Sequence, residues 1–170
     1  LVIFYFFGLT FESLLLIILS VFFVIIFFID LRHFIIPNEL TFSLMALGFI
    51  KSFLTNPSLF IFPDYVQSLI GGVTGYFVIW FIIFIYKKLK NIEGMGLGDA
   101  KLLSALGFWF GWIALPFILI FSSVIALVIA IPSLINKSKN MRTQIPFGPY
   151  LILGCLFYLF FNDQIIKFLS

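Results

Sequence analysis

Two aspartates stand out as groups able to do chemistry in a chain with little charge. Asp30, Asp64, Asp99 and Asp163 are its complete set of aspartates. Asp99 closes the run Gly94-Met95-Gly96-Leu97-Gly98-Asp99 and is followed by Ala100 and Lys101; Asp30 ends a long apolar stretch. A carboxylate at or inside a membrane boundary is costly and is by default a candidate functional group. Two carboxylates held close cannot both ionise, so one accepts a proton while the other donates one. Such a pair activates a water and protonates a leaving amine, which is aspartyl proteolysis. It needs no metal and no cofactor, and its apparent pKa values belong to the pair. The expectation is that Asp30 and Asp99 form that pair.

The glycines have a physical reason. Gly94, Gly96 and Gly98 alternate. Residues without Cβ let backbone approach an extended peptide and adopt unusual torsions. Asp99 would then start a helix, where the dipole favours a carboxylate. Plainer readings stand beside this one. Asp99 alone suits an N-cap. Asp30 alone suits an interfacial residue paired with Arg32 or Lys101. His33 reads as a polar interface residue before it reads as a proton shuttle. Glu39 reads as a first-turn acid and Glu93 as loop solvation. A nucleotide loop does not fit, because the spacing is not G-x-G-x-x-G and no strand precedes it.

The elements that must hold the pair follow from composition. The chain has 170 residues, is 63% hydrophobic and 10% charged, and carries 26 phenylalanines. Soluble domains are about 25% charged, so this composition implies an all-α polytopic membrane protein in a lipid bilayer. Its aromatic side chains then face lipid and interface, and no nucleic-acid partner is expected. The single cysteine, Cys155, excludes an internal disulfide and a multi-cysteine metal site, and reads as a packing residue. Residues 1–8 read as the remnant of a preceding helix, since the chain begins Leu1-Val2-Ile3-Phe4 without a methionine.

Six helices are predicted. Thr10 and Glu12 suit the start of the first, over 11–29, about the length needed to cross the hydrocarbon core. Pro37 stops what precedes it and Asn38 caps a second, 38–54. A third runs 65–88 and carries Gly71-Gly72-Val73-Thr74-Gly75, a face that lets another helix approach closely. A short fourth, 99–110, breaks at Gly111. The fifth, 112–135, contains Pro116 and Pro132, whose kinks neighbouring helices can absorb. Pro146-Phe147-Gly148-Pro149 opens the sixth, 150–161. Alternating crossings put Arg32, Lys87, Lys88, Lys90, Lys101, Lys137, Lys139 and Arg142 on one side, with Lys51 and Lys167 opposite. By the positive-inside rule the first side is cytoplasmic, and it is the side of Asp30 and Asp99.

With these residues in view, the sequence resembles a known family. Gly96-Leu97-Gly98-Asp99 matches the G-x-G-D signature of intramembrane aspartyl proteases. Its setting from Glu93 to Leu103 is similar to that of bacterial prepilin peptidases, also called type IV leader peptidases. Ile29-Asp30-Leu31-Arg32-His33-Phe34-Ile35-Ile36-Pro37-Asn38 resembles that family's other motif, an aspartate followed at a fixed interval by Pro-Asn or Pro-Asp. Gln144-Ile145-Pro146-Phe147-Gly148-Pro149-Tyr150 resembles its C-terminal segment; Phe7-Gly8-Leu9-Thr10 and Gly71 to Tyr76 also fit. The resemblance covers nearly the whole chain, as a single transmembrane peptidase domain over residues 1–170.

The resemblance implies that Asp30 and Asp99 are the catalytic pair. It implies cleavage of type IV prepilins, or of type II secretion pseudopilins, after a glycine ending a short basic leader, at the cytoplasmic face of the bacterial inner membrane. Gly94, Gly96, Gly98, Pro37, Asn38 and Lys101 are the accompanying substrate-binding or loop-shaping residues; no metal site is assigned. Many bacterial members carry a second acid two residues after the first aspartate, where this chain has Arg32. Bifunctional members also carry an N-terminal half with a paired-cysteine zinc site and methyltransferase activity, which is not among these residues. No methylation is assigned to them. Signal-peptide-peptidase and presenilin relatives also use two membrane aspartates, but their Tyr-Asp and Pro-Ala-Leu motifs are missing here. A transporter using Asp30 and Asp99 as an ion relay would place polar residues deep in several helices. The predicted helix centres are aliphatic and aromatic.

Overall fold

Thr10 starts the first helix. Its Oγ1 accepts the Ser13 N–H at 3.2 Å while its own N–H donates to Ser13 Oγ at 3.2 Å, a reciprocal cap. The computed structural model describes residues 8, 10–55, 62–90, 96–135 and 146–169. Over these the chain forms five α-helices and no β-strand. They are α1 (Phe11–His33), α2 (Asn38–Leu54), α3 (Tyr65–Lys90), α4 (Leu97–Ile135) and α5 (Gly148–Leu169). The remnant expected at the N-terminus and the basic loop over 136–145 fall outside the described residues, apart from Gly8.

The predicted fourth and fifth helices are the two arms of α4, which meet end to end at a break. The break lies at Gly111, where the sequence expects it, with φ 75° and ψ 177°. Only glycine adopts such a conformation readily. Pro116 and Pro132 lie within helical backbone, as expected for prolines supported by neighbours. Beyond the break α4 packs antiparallel to α5. Phe117 stacks on Tyr158 and Phe121 meets Phe157, with ring centroids 6.3 and 4.4 Å apart.

The other helix ends differ in detail from expectation. α1 continues past residue 29, so Asp30 lies inside its last turn. Phe34 ends it in the left-handed region (φ 56°, ψ 29°), its N–H donating to the Asp30 carbonyl at 2.9 Å. Pro37, not Asn38, is the N-cap of α2, and Asn38 is its first helical residue. Asp64 Oδ1 accepts the Gln67 N–H at 2.7 Å and caps α3.

Three stretches are long and apolar enough to cross a membrane: Phe11–His33, Tyr65–Leu89 and Leu97–Ala130, with a shorter apolar helix over Gly148–Asn162. The outer faces of α1 and α3 expose Val24, Phe28, Phe77 and Phe81, as a lipid-facing surface would. The protein is a membrane protein.

The centre of the fold is the arm of α4 before Gly111. Leu102, Leu103, Ala105, Leu106, Trp109 and Phe110 are all buried. The small-residue face of α3 packs against this arm as the sequence predicts. A Cβ on Gly107 would collide with the Gly71 carbonyl, and one on Gly75 would stand 2.7 Å from the Leu103 carbonyl oxygen. At this approach, side-chain hydroxyls reach across to backbone. Ser104 Oγ donates to the Gly72 carbonyl and Ser68 Oγ to the Phe108 carbonyl, each at 2.7 Å. Trp109 Nε1 donates to the Leu44 carbonyl of α2 at 2.8 Å.

Candidate active site

Asp30 comes from the last turn of α1 and Asp99 from the first turn of α4. They are 4% and 8% exposed. Helix geometry explains how Asp99 is held. Gly96 precedes the helix and Asp99 is its third residue. The Asp99 N–H donates to the Gly96 carbonyl at 3.2 Å, and the Gly96 N–H donates back to the Asp99 carboxylate. This is the acidic half of a capping box, so Asp99 serves the helix start from the third position and is not the cap itself.

Asp30 is held by another helix. Its Oδ2 accepts the backbone N–H of Gly148, the first residue of α5, at 3.1 Å. Each carboxylate thus accepts an amide from a helix N-terminus, where unpaired N–H groups are available. The two are near enough to interact electrostatically. Ile36 packs against the glycines that flank them: a Cβ on Gly98 would lie 3.2 Å from its Cβ, and one on Gly148 would lie 3.0 Å from its Cδ1. Two buried carboxyls that interact in this way titrate as a pair. Among the described residues no group of three His, Cys, Asp or Glu side chains converges as a metal site would.

The model of the type IV leader peptidase family matches residues 17–131, more than half of the chain. The chain belongs to that family. Proteins of the same kind in several bacteria are similar to it. A prepilin leader peptidase/N-methyltransferase of Aeromonas hydrophila is 36% identical over 140 residues, covering 82% of this chain and 47% of that protein. One of Xanthomonas campestris pv. campestris is 37% identical over 164 residues, covering 96% and 55%. One of Pseudomonas aeruginosa is 34% identical over 139 residues, covering 82% and 46%. The chain therefore spans about half the length of these curated relatives. No solved structure matches it.

This leader peptidase family member gathers most of the residues singled out in its sequence at one end of the bundle. Pro37 caps α2 there, and Lys101 Nζ donates to Asn38 Oδ1, tying the start of α2 to the start of α4. The Lys101 ammonium also lies 5.6 Å from the centre of the Phe42 ring. Lys101 therefore serves Asn38, while Asp30 is held by a backbone amide. Arg32, His33 and Glu39 are exposed. Gly98 packs on Ile36, but Gly96 has room: a Cβ there would meet only the Gly98 nitrogen, at 3.8 Å. Neither has a positive φ, so the unusual torsions expected of this loop are not found at these two glycines. Gly94 and Glu93 lie outside the described residues.

Two residues escaped the sequence reading. Gly148 was visible only as part of the segment resembling the family's C-terminal motif; nothing local announced that its amide meets Asp30. Lys51 is the other: it lies in the last turn of α2, at the end away from Asn38, and is 1% exposed. Its Nζ donates to the Trp109 carbonyl and lies 4.6, 5.1 and 5.6 Å from the Phe62, Trp109 and Phe110 ring centres. The cause is the break at Gly111, because carbonyls in the turn before a break lack intrahelical donors. Trp109, expected at lipid or interface, is buried with it. Cys155 is a buried free thiol, the packing residue its setting suggested.

Proposed function

We propose that this chain is a membrane-embedded aspartyl endopeptidase with Asp30 and Asp99 as its catalytic pair. Its substrates are type IV prepilins or the pseudopilins of type II secretion. It removes their short basic leader after a glycine, at the cytoplasmic face of the bacterial inner membrane. Membership of the leader peptidase family supports the substrate class, and the relatives' names carry the word prepilin. The observation that supports the mechanism is the burial of Asp30 and Asp99 within electrostatic reach of each other, each bonded to a backbone amide.

In this reading one carboxyl is ionised and the other protonated. The ionised one takes a proton from a water as the water oxygen attacks the scissile carbonyl carbon. The protonated one donates to the carbonyl oxygen, giving a tetrahedral diol. Collapse of the diol returns a proton to the departing amine and breaks the C–N bond. In the same step the other carboxylate takes a proton from a diol hydroxyl, so the products are a leader carboxylic acid and a new N-terminal amine, and the pair again holds one proton. The exposed apolar faces of α1 and α3 leave the pair at a bundle end that a substrate helix can approach through the bilayer. The basic leader would remain on the lysine-rich side.

The test is processing of a model prepilin by the purified chain in lipid vesicles. Wild-type protein is expected to release the leader. Asp30→Asn and Asp99→Asn should each lose at least about 10²–10⁴-fold in rate, the usual worth of acid–base catalysis, while keeping their helical circular dichroism. Full processing by either variant would overturn the pair assignment.

A further inference from the structure

We infer that Gly148 is a positioning residue for the reaction. Its backbone N–H fixes the Asp30 carboxylate, and its missing side chain leaves the space that carboxylate occupies. The inference rests on the proposed role of Asp30.

Three observations carry it. The Gly148 N–H donates to Asp30 Oδ2 at 3.1 Å, and both residues are buried. A Cβ on Gly148 would stand 2.5 Å from that same Oδ2 and 3.3 Å from the carboxyl carbon. The amide and the absent methyl therefore act on one atom. Finally, Gly148 begins α5, whose first turn is fixed by Phe147: its carbonyl accepts the Tyr150 and Leu151 N–H groups at 3.0 and 3.1 Å. The amide is thus delivered by a helix end rather than a free loop.

The consequence for the carboxylate is geometric. Oδ2 is committed as the acceptor of an amide, which leaves Oδ1 as the oxygen available to water and to the shared proton. Without the amide the carboxylate can rotate, and reacting groups must be held within about 0.5 Å of productive geometry. A side chain at this position would instead push the carboxylate away. Ile36 shares the contact, since the same added Cβ would lie 3.0 Å from its Cδ1. That makes two causes of damage separable.

The experiment compares prepilin processing and thermal unfolding for wild type, Asp30→Asn, Gly148→Ala and the double variant Gly148→Ala with Ile36→Val, all as full chains in vesicles. Ile36→Val removes the Cδ1 atom but leaves Asp30 in place. The expected result is that Gly148→Ala lowers kcat at least about tenfold, corresponding to about 1.4 kcal/mol of barrier, with KM for the prepilin unchanged. The double variant should recover thermal stability without recovering kcat. A protein carrying an ester in place of the Gly148 amide, introduced by in vitro translation, removes the donor without adding a methyl and should lower kcat alone. Restoration of kcat by Ile36→Val, or an ester protein with wild-type kcat, overturns the inference. If Asp30→Asn itself processes prepilin, the reading of Asp30 fails instead.

Discussion

Lys51 donates its ammonium to the carbonyl of Trp109, at the end of the α4 arm whose other end carries Asp99. The lysine belongs to α2 and the carbonyl lies just before Gly111. With rings of Phe62, Trp109 and Phe110 around it, the charge has an acceptor and three π-faces in place of water. Without a donor, that carbonyl would be a buried unsatisfied group. Lys51→Met keeps the aliphatic volume and removes the donor. Relief from burying a charge offsets part of the loss; the unsatisfied carbonyl costs about 1–3 kcal/mol. The variant should unfold at lower temperature in micelles, and Lys51→Ala should fall further because it also leaves a cavity. An unchanged transition for Lys51→Met would mean the carbonyl is satisfied by other means.

The glycines divide into those packing requires and those it does not. Gly71 and Gly107 let α3 and α4 touch backbone to backbone, and a Cβ on either meets the other's carbonyl oxygen. Neither helix can yield without moving the arm that carries Asp99. Gly107→Val should cost about 3 kcal/mol or more by overpacking. Gly96→Ala should stay within about 0.5 kcal/mol of wild type, as surface changes do, since 3.8 Å of clearance separates the new methyl from its nearest neighbour. Paired unfolding curves check the contrast, and equal losses at the two positions would refute it.

The bridge from Lys101 to Asn38 joins the two motifs that carry Asp99 and Asp30. It is an exposed contact, so its worth is that of an ordinary hydrogen bond, about 0.5–1.5 kcal/mol. Asn38→Ala, Lys101→Met and the double variant form a cycle in which the two losses should not add. A coupling energy of that size in unfolding experiments would establish the bridge. Strict additivity would reduce Lys101 to a surface charge.

Much of this site was legible before the fold was known. Thr10, Pro37 and Gly111 mark helix boundaries through local chemistry that tertiary contacts do not override. The glycine face at Gly71 and Gly75 could be read because small residues at helical spacing have few uses other than close approach. Asp30 and Asp99 could be singled out because apolar helices admit few positions for a carboxylate, and both are buried. What could not be read depended on the third dimension. Lys51 looks like any interfacial lysine until the break at Gly111 presents it with a carbonyl. The amide of Gly148 carries no side-chain signal at all. The extent of α1 past Asp30 was missed because Phe34 ends it in a left-handed conformation, and nothing in a phenylalanine announces that.

Chelation tests the class of chemistry. A hard cation such as calcium takes six to eight oxygen ligands, and zinc takes about four ligands in all. The pair offers two carboxylates, and each already accepts a backbone N–H. An amide aimed at a carboxylate oxygen occupies a direction from which a cation would bind. In the proposed reaction the pair holds a proton instead, which water supplies. Prepilin processing by the purified chain should therefore continue at its full rate after treatment with EDTA and removal of the chelator. A loss of activity that returns on adding a divalent ion would assign the cleavage to a metal-bound water, and Asp30 and Asp99 would then be ligands.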